Sequence, residues 1–284
     1  MRLSGHAWLA CAVLALMGAC PALAQEKTAS SKLPIEVTAQ ESLEWNRTEQ
    51  VYIARKDAIA KQGTTELHGD TLIAKYTDQP KDPASGKKGG TTISRIDAQG
   101  NVLIISDGSR ATGQQGYYDV ASGFSELTGN NLKLQTATDT VTCTDKMTYD
   151  AGKNEMNAYG NARAVRGDDV LTADRLIGRF KKDIETGESK LDQLEAIGNV
   201  VITTPTDVMR GDRGIYRTGT NVATITGNVR IDRGDNVITG ARGEVDMNTN
   251  ISRIFGGGDP AGAPASADGT APDTRVRGVF YPGQ

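Results

Sequence analysis

The sequence predicts an all-β protein, an open, twisted antiparallel β-jelly-roll made by folding one long meander of hairpins over on itself. Three observations carry this. A cell opening on Gly-Asn recurs at Gly100, Gly129, Gly160, Gly198 and Gly227, with gaps of 129−100 = 29, 160−129 = 31, 198−160 = 38 and 227−198 = 29 residues. Self-similarity at a near-fixed period marks a repeat architecture. Within each cell the apolar residues keep one parity through the Gly: Ile96, Ala98, Val102 and Ile104 in one copy, Leu194, Ala196, Val200 and Ile202 in another. Period two means a strand with one face turned from water, and a Gly inside such a run marks a kink rather than a hairpin turn. Finally, the turns are short, as at Gly167-Asp168-Asp169 and Gly234-Asp235-Asn236. Turns of that length join antiparallel neighbours, so each cell is a hairpin and the chain a meander of roughly a dozen strands.

In chain order, residues 1–24 read as a secretory signal: Arg2, an apolar run from Ala7 to Met17, and a small-x-small site Ala22-Leu23-Ala24 with cleavage after Ala24. Met17-Gly18-Ala19-Cys20 is a weaker, lipoprotein-like rival for that site. Residues 25–42 are polar and read as a flexible N-terminal segment. Residues 43–255 form the repeat-built jelly-roll. Its first cell is degenerate, with Lys56 at the place of the Gly, and the Gly129 cell carries Leu132 and Leu134 one place late, which predicts a local bulge. Residues 78–90 read as an inserted loop. Residues 181–190 read as a second insertion, and Thr186-Gly187-Glu188 favours an extended hairpin there over a short helix. Residues 256–284 read as a disordered Gly/Ala/Pro tail with a short apolar end, Arg275 to Tyr281, either frayed or docked on a partner's sheet edge.

Chemistry is sparse. Removing the leader leaves 284−24 = 260 residues with a net charge of 31−35 = −4 and no basic run, which disfavours nucleic acid. Cys11 and Cys20 leave with the leader, so Cys143 has no intramolecular partner and reads as a small packed residue. His68 is the single histidine of the mature chain, without a nucleophile motif or metal-ligand spacing, and no cofactor is expected. Asp70, Asp174 and Asp212, with Asp145 after an insertion, recur at one place in the cell. A calcium ladder, or a polysaccharide lyase or hydrolase, would use such a row. With Lys146, Arg175 and Arg213 following, it reads instead as a cross-strand charge ladder with Asx-type bonds to backbone.

The inner positions are mostly Val, Ile and Ala, and aromatics make up only 5% of the chain, so a folded-over sheet of this lining leaves room between its halves. The same residues would also suit a dry, sealed core, which makes a structural scaffold the alternative. The Gly-Asn-Val cells, the Asp-Arg/Lys steps and the export signal resemble the periplasmic lipopolysaccharide-transport family (LptA, also called OstA-like) over roughly residues 40 to 255. The strongest segment is Gly198 to Phe255, with Gly-Asn-Val-Val-Ile-Thr, Met209-Arg210-Gly211-Asp212-Arg213 and Gly-Asn-Val-Arg-Ile. The resemblance implies a periplasmic, non-enzymatic bridge whose apolar groove carries the acyl chains of lipid A from inner to outer membrane. It implies edge-strand pairing with inner- and outer-membrane members of the pathway, and head-to-tail self-association. Carried residue by residue, it makes Val102, Ile104, Val200, Ile202, Val229 and Ile231 groove lining, with Leu132 and Leu134 as weaker members.

Overall fold

The computed structural model describes residues 35–78, 91–106, 108–182, 189–249, 251–257 and 275–280. The leader therefore lies outside the described residues, as do most of the two inserted loops and residues 258–274 of the tail. Every element among the described residues is a strand, and all strands join one antiparallel sheet. In chain order they are β1 (Glu36–Thr38), β2 (Ser42–Asn46), β3 (Val51–Gln62), β4 (Thr65–Asp78), β5 (Thr91–Ser106), β6 (Ser109–Asp119), β7 (Phe124–Thr128), β8 (Leu132–Gln135) and β9 (Asp139–Cys143). There follow β10 (Lys146–Asp150), β11 (Glu155–Arg166), β12 (Asp169–Lys182), β13 (Ser189–Thr203), β14 (Val208–Arg217), β15 (Val222–Arg233), β16 (Asn236–Asp246), β17 (Ile251–Phe255) and β18 (Arg277–Val279).

Each long strand crosses a crease. The ladder slips between Gln99 and Val102, between Ile197 and Val200, and between Thr226 and Val229, and it resumes with the same face inward. The cause is a pair of left-handed residues: Gly198 has φ 76° and Asn199 φ 47°, and the steps at Gly100, Gly160 and Gly227 match them, whereas Gly129 has φ 106° and the left-handed Asn comes one place late, at Asn131. Glycine takes that region freely and Asn is among the few side chains that tolerate it. The first cell bends at Lys56 and Asp57 with φ 65° and 46°, so the degenerate copy is creased without the residues that make a crease easy.

The sheet is thus a V of two leaves. Along each strand that carries a Gly-Asn step the residues before the step belong to the first leaf and those after it to the second, and the returning strand runs back from the second leaf to the first. At Gly129 the crease cuts the strand itself, giving β7 and β8, and the neighbouring pass is cut into β9 and β10. The two outermost passes are also cut, β1/β2 on β3 at one edge and β17/β18 on β16 at the other. Eighteen strands are therefore 18−4 = 14 passes of the chain, close to the dozen expected. Three of the four cut passes lie where residues depart from the Gly-Asn pattern or the meander runs out.

The two expected ends differ from the sequence reading. Strand structure begins at Glu36, inside the segment read as flexible, because Glu36, Val37 and Thr38 pair with Lys61, Ala60 and Ile59. The tail's apolar end docks on its own sheet: Val279, Gly278 and Arg277 pair with Val237, Ile238 and Thr239 of β16. In the second insertion the strands run on to the pair Lys182 and Ser189, and the turn expected at Thr186-Gly187-Glu188 lies outside the described residues. The core lies between the leaves, where the inner parity of both meets: Ala98, Leu127, Ala158, Leu176 and Ala196 from the first, Val102, Leu134, Val141, Leu171 and Val200 from the second.

Candidate functional site

Period-two alternation places Val102, Ile104, Leu132, Leu134, Val200, Ile202, Val229 and Ile231 together on the inner face of the second leaf. Six of them, Val102, Ile104, Leu132, Leu134, Val200 and Val229, are between 0% and 7% exposed. Ile202 and Ile231 are half-buried against the same core. The chain's own side chains therefore cover most of this lining, and the unfilled space lies beside it.

Two apolar cavities run between the leaves. The larger, of about 60 Å³, is bounded by Met156, Ala158, Leu176, Gly178, Leu191, Leu194 and Tyr216 of the first leaf and Val141, Ala164 and Leu171 of the second. The smaller, of about 30 Å³, is bounded by Ile104, Ala111, Leu127, Met147, Tyr149 and Met156 among others. Either exceeds the roughly 10–15 Å³ that one water needs, yet an apolar lining offers water no partners, so such space stays dry and takes apolar groups. Of the eight residues expected from sequence, only Ile104 bounds a cavity. Met156 and Leu194 occupy the position four before the Gly, where the alternation already marked them as inward. Leu171 and Leu176 belong to the second strand of the cell, beyond the reach of the alternation read around the Gly.

At the leaf margin the larger cavity ends on polar groups, Asp139, Arg166 and Asp169. Arg166 donates from Nε to Asp139 Oδ1 at 2.6 Å and from Nη2 to Oδ2 at 2.9 Å. The Asp139 turn is pinned by Thr136 Oγ1, which accepts from the Asp139 amide at 3.0 Å. The device recurs: Thr204 Oγ1 accepts from the Asp207 amide at 3.0 Å, and Arg233 grips Asp207 with two bonds. The Arg233 guanidinium holds the Asp207 carboxyl below the usual carboxylate range.

The acidic row is structural, in a way that corrects the charge-ladder reading. Asn101 Nδ2 donates to both oxygens of Asp70 at 3.0 Å, Asn199 to both of Asp174 at 3.1 and 3.0 Å, and Asn228 to Asp212 at 3.0 Å. Each Asp lies against the Gly of the next crease, where a Cβ would collide with its carboxylate. The basic residues that follow these Asp turn elsewhere: Lys146 to Glu126, Arg175 to Asn157, Arg213 to Glu195. Glu195, 4% exposed, takes bonds from both Arg179 and Arg213 on the outer face of the first leaf. Burial alone would raise its carboxyl, but the two guanidinium bonds prevail and hold it below the usual range.

Among the described residues no group of three His, Cys, Asp or Glu is placed to hold a metal. His68 Nε2 lies 3.2 Å from Glu66 Oε2. Cys143 is buried, and burial pushes its thiol up to about 11, which keeps it unreactive.

Both open edges carry exposed apolar side chains. Leu43 and Trp45 are 60% and 52% exposed although their partners Ala54 and Tyr52 face inward. Trp45 stacks on Tyr52 at 5.8 Å and donates from Nε1 to Tyr76 Oη at 2.7 Å. At the opposite edge Val276 and Phe280 flank β18, 44% and 67% exposed.

The family model described as LptA/(LptD N-terminal domain) LPS transport protein matches residues 36–154 and 143–251. Among solved structures, the chain is similar to LptH from Pseudomonas aeruginosa, the LptA-homologous periplasmic component of a lipopolysaccharide transport device. The identity is 14% over 88% of this chain and 97% of that one, with a TM-score of 0.21, too poor a superposition to carry weight. No curated protein matches the sequence.

Proposed function

Because the chain belongs to the LptA/LptD N-terminal family of lipopolysaccharide transport proteins, we propose that it is a periplasmic bridge that carries lipid A acyl chains between its two leaves, from the inner toward the outer membrane. Its family is one of transport proteins rather than enzymes, and its acidic row is spent on the creases. The observation that carries the reading is the pair of apolar cavities lying between leaves that meet only through side chains such as Leu134, Val141, Leu171 and Leu176. Backbone ladders bind strand to strand inside each leaf, so the leaves part without breaking a ladder. Parting is needed, since the cavities are smaller than an acyl chain, and the Gly-Asn creases are the hinge. Each methylene that replaces a side-chain contact contributes about 0.8 kcal/mol, so the walls retain lipid by area rather than by specific bonds.

The edges suit end-to-end assembly. At one edge the first leaf ends in β2 and the second in β1; at the other they end in β17 and β18. A second copy, or a pathway partner of the same fold, then meets equal numbers of strands in both leaves, and the contact does not close on itself. Cleavage of the leader after Ala24 would deliver the chain to the periplasm.

A photo-crosslinker at Ile202 or Leu194 is expected to capture lipopolysaccharide in cells, and one at the outward Arg210 is not. Folded protein that captures none at either inner position would leave a sealed scaffold as the reading.

A further inference from the structure

The two cavities share one residue. The smaller is bounded by β5, β6, β7, β10 and Met156. The larger is bounded by β9, β11, β12, β13 and β14, again with Met156. Along the sheet they are consecutive compartments of one interior, and the Met156 side chain stands between them. Its cross-strand neighbours differ sharply: Tyr149 on the side of the smaller cavity, Gly178 on the side of the larger. Gly178 itself lines the larger cavity and sends no side chain into it, while Phe180 and Leu191 stand so close that an added Cβ would meet them at 3.3 and 3.6 Å. The next inner residue along β11 is Ala158, at 0% exposure. Met156 is thus hemmed by an aromatic ring on one flank and by small residues on the others.

Methionine is unbranched, with three rotatable bonds and a polarizable sulfur, and fills irregular space in more than one arrangement. The corresponding positions of other cells hold Tyr52, Ile96 and Leu194, each with fewer rotatable side-chain bonds than methionine. We propose that Met156 is a movable partition that controls the passage of acyl chains between the two compartments, a role that rests on the lipid-carrying reading above. Swung into the larger cavity it opens the smaller compartment to the larger, and swung back against Tyr149 it separates them.

The test uses the full-length protein in cells, with a photo-crosslinker at Ile104 for the smaller compartment and at Leu194 for the larger. Wild type captures lipopolysaccharide at both. Met156→Trp, which puts a rigid ring where Met156 stands, is expected to cut capture severalfold at one of the two positions and to leave or raise it at the other. Met156→Ala keeps both. Met156→Ile keeps the volume but is stiff at χ1, and shifts the ratio in the direction of Trp; it carries the test if the Trp variant fails to fold. Equal capture at both positions in the folded Trp and Ile variants, or an equal fall at both, overturns the partition. Absence of capture at both positions in wild type overturns the lipid-carrying reading itself, and the partition with it.

Discussion

A crease is made by the chemistry of three residues: a glycine without a Cβ, an asparagine that accepts positive φ, and an aspartate on the neighbouring strand that receives the asparagine amide. At Gly198 the three requirements coincide, since φ is 76°, Asn199 bonds Asp174, and a Cβ would run into that carboxylate. Gly198→Ala is therefore expected to lower unfolding stability by about 2–3 kcal/mol, combining left-handed strain with a steric clash. Lys56 is the converse, a long side chain held at φ 65° with no such clamp. Lys56→Gly is expected to raise stability by about 1 kcal/mol. Urea unfolding of both variants measures the pair; if the alanine is harmless, the crease is not where the fold is fixed.

Among elements, the hairpins and creases were legible in the sequence because period-two alternation and a left-handed Gly-Asn step are local signals. Val102, Val200 and Val229 could be assigned to the inner face from parity alone. Partners across strands were not legible: that Arg213 reaches back to Glu195, or that Asp174 serves Asn199 rather than Arg175, depends on the register slip at the crease between the paired strands. Nor was the volume between the leaves, since parity says which residues point inward but not which of them meet. The tail's end is the clearest case. Arg275 to Phe280 carries a short apolar run that suits any free edge, and only the fold shows that β16 leaves three residues of its second leaf, Val237 to Thr239, for β18 to occupy. That placement makes β18 one half of the outgoing edge. Removing residues 275–284 would leave the second leaf one strand short of the first, so the two leaves of an incoming copy could not pair together. Sedimentation of the truncated protein is expected to show weaker end-to-end association than the full chain. Stronger association on truncation would instead make β18 a cap that competes with the incoming strand.

For the whole molecule, a sheet built by stacking hairpins has contacts only between neighbours, so its stability is close to a sum of unit and interface contributions rather than one indivisible core. Passes away from the edges have ladders on both sides, and Glu195 bridges Arg179 and Arg213 across β12, β13 and β14. The end passes have one neighbour each, are cut at the crease, and expose Leu43, Trp45 and Phe280. Local opening should follow that gradient. Amide exchange is expected to be slowest in β11 to β14 and fastest in β1, β2, β17 and β18, with β3 and β16 between. The gradient fits a bridge component: units that must accept a neighbour's strand are the least committed, while the central creases keep the two leaves in register around the cavities. Uniform protection from edge to edge would mean that the leaves open as one body, and lipid entry would then have to proceed by parting the whole V at once rather than from a loosened end.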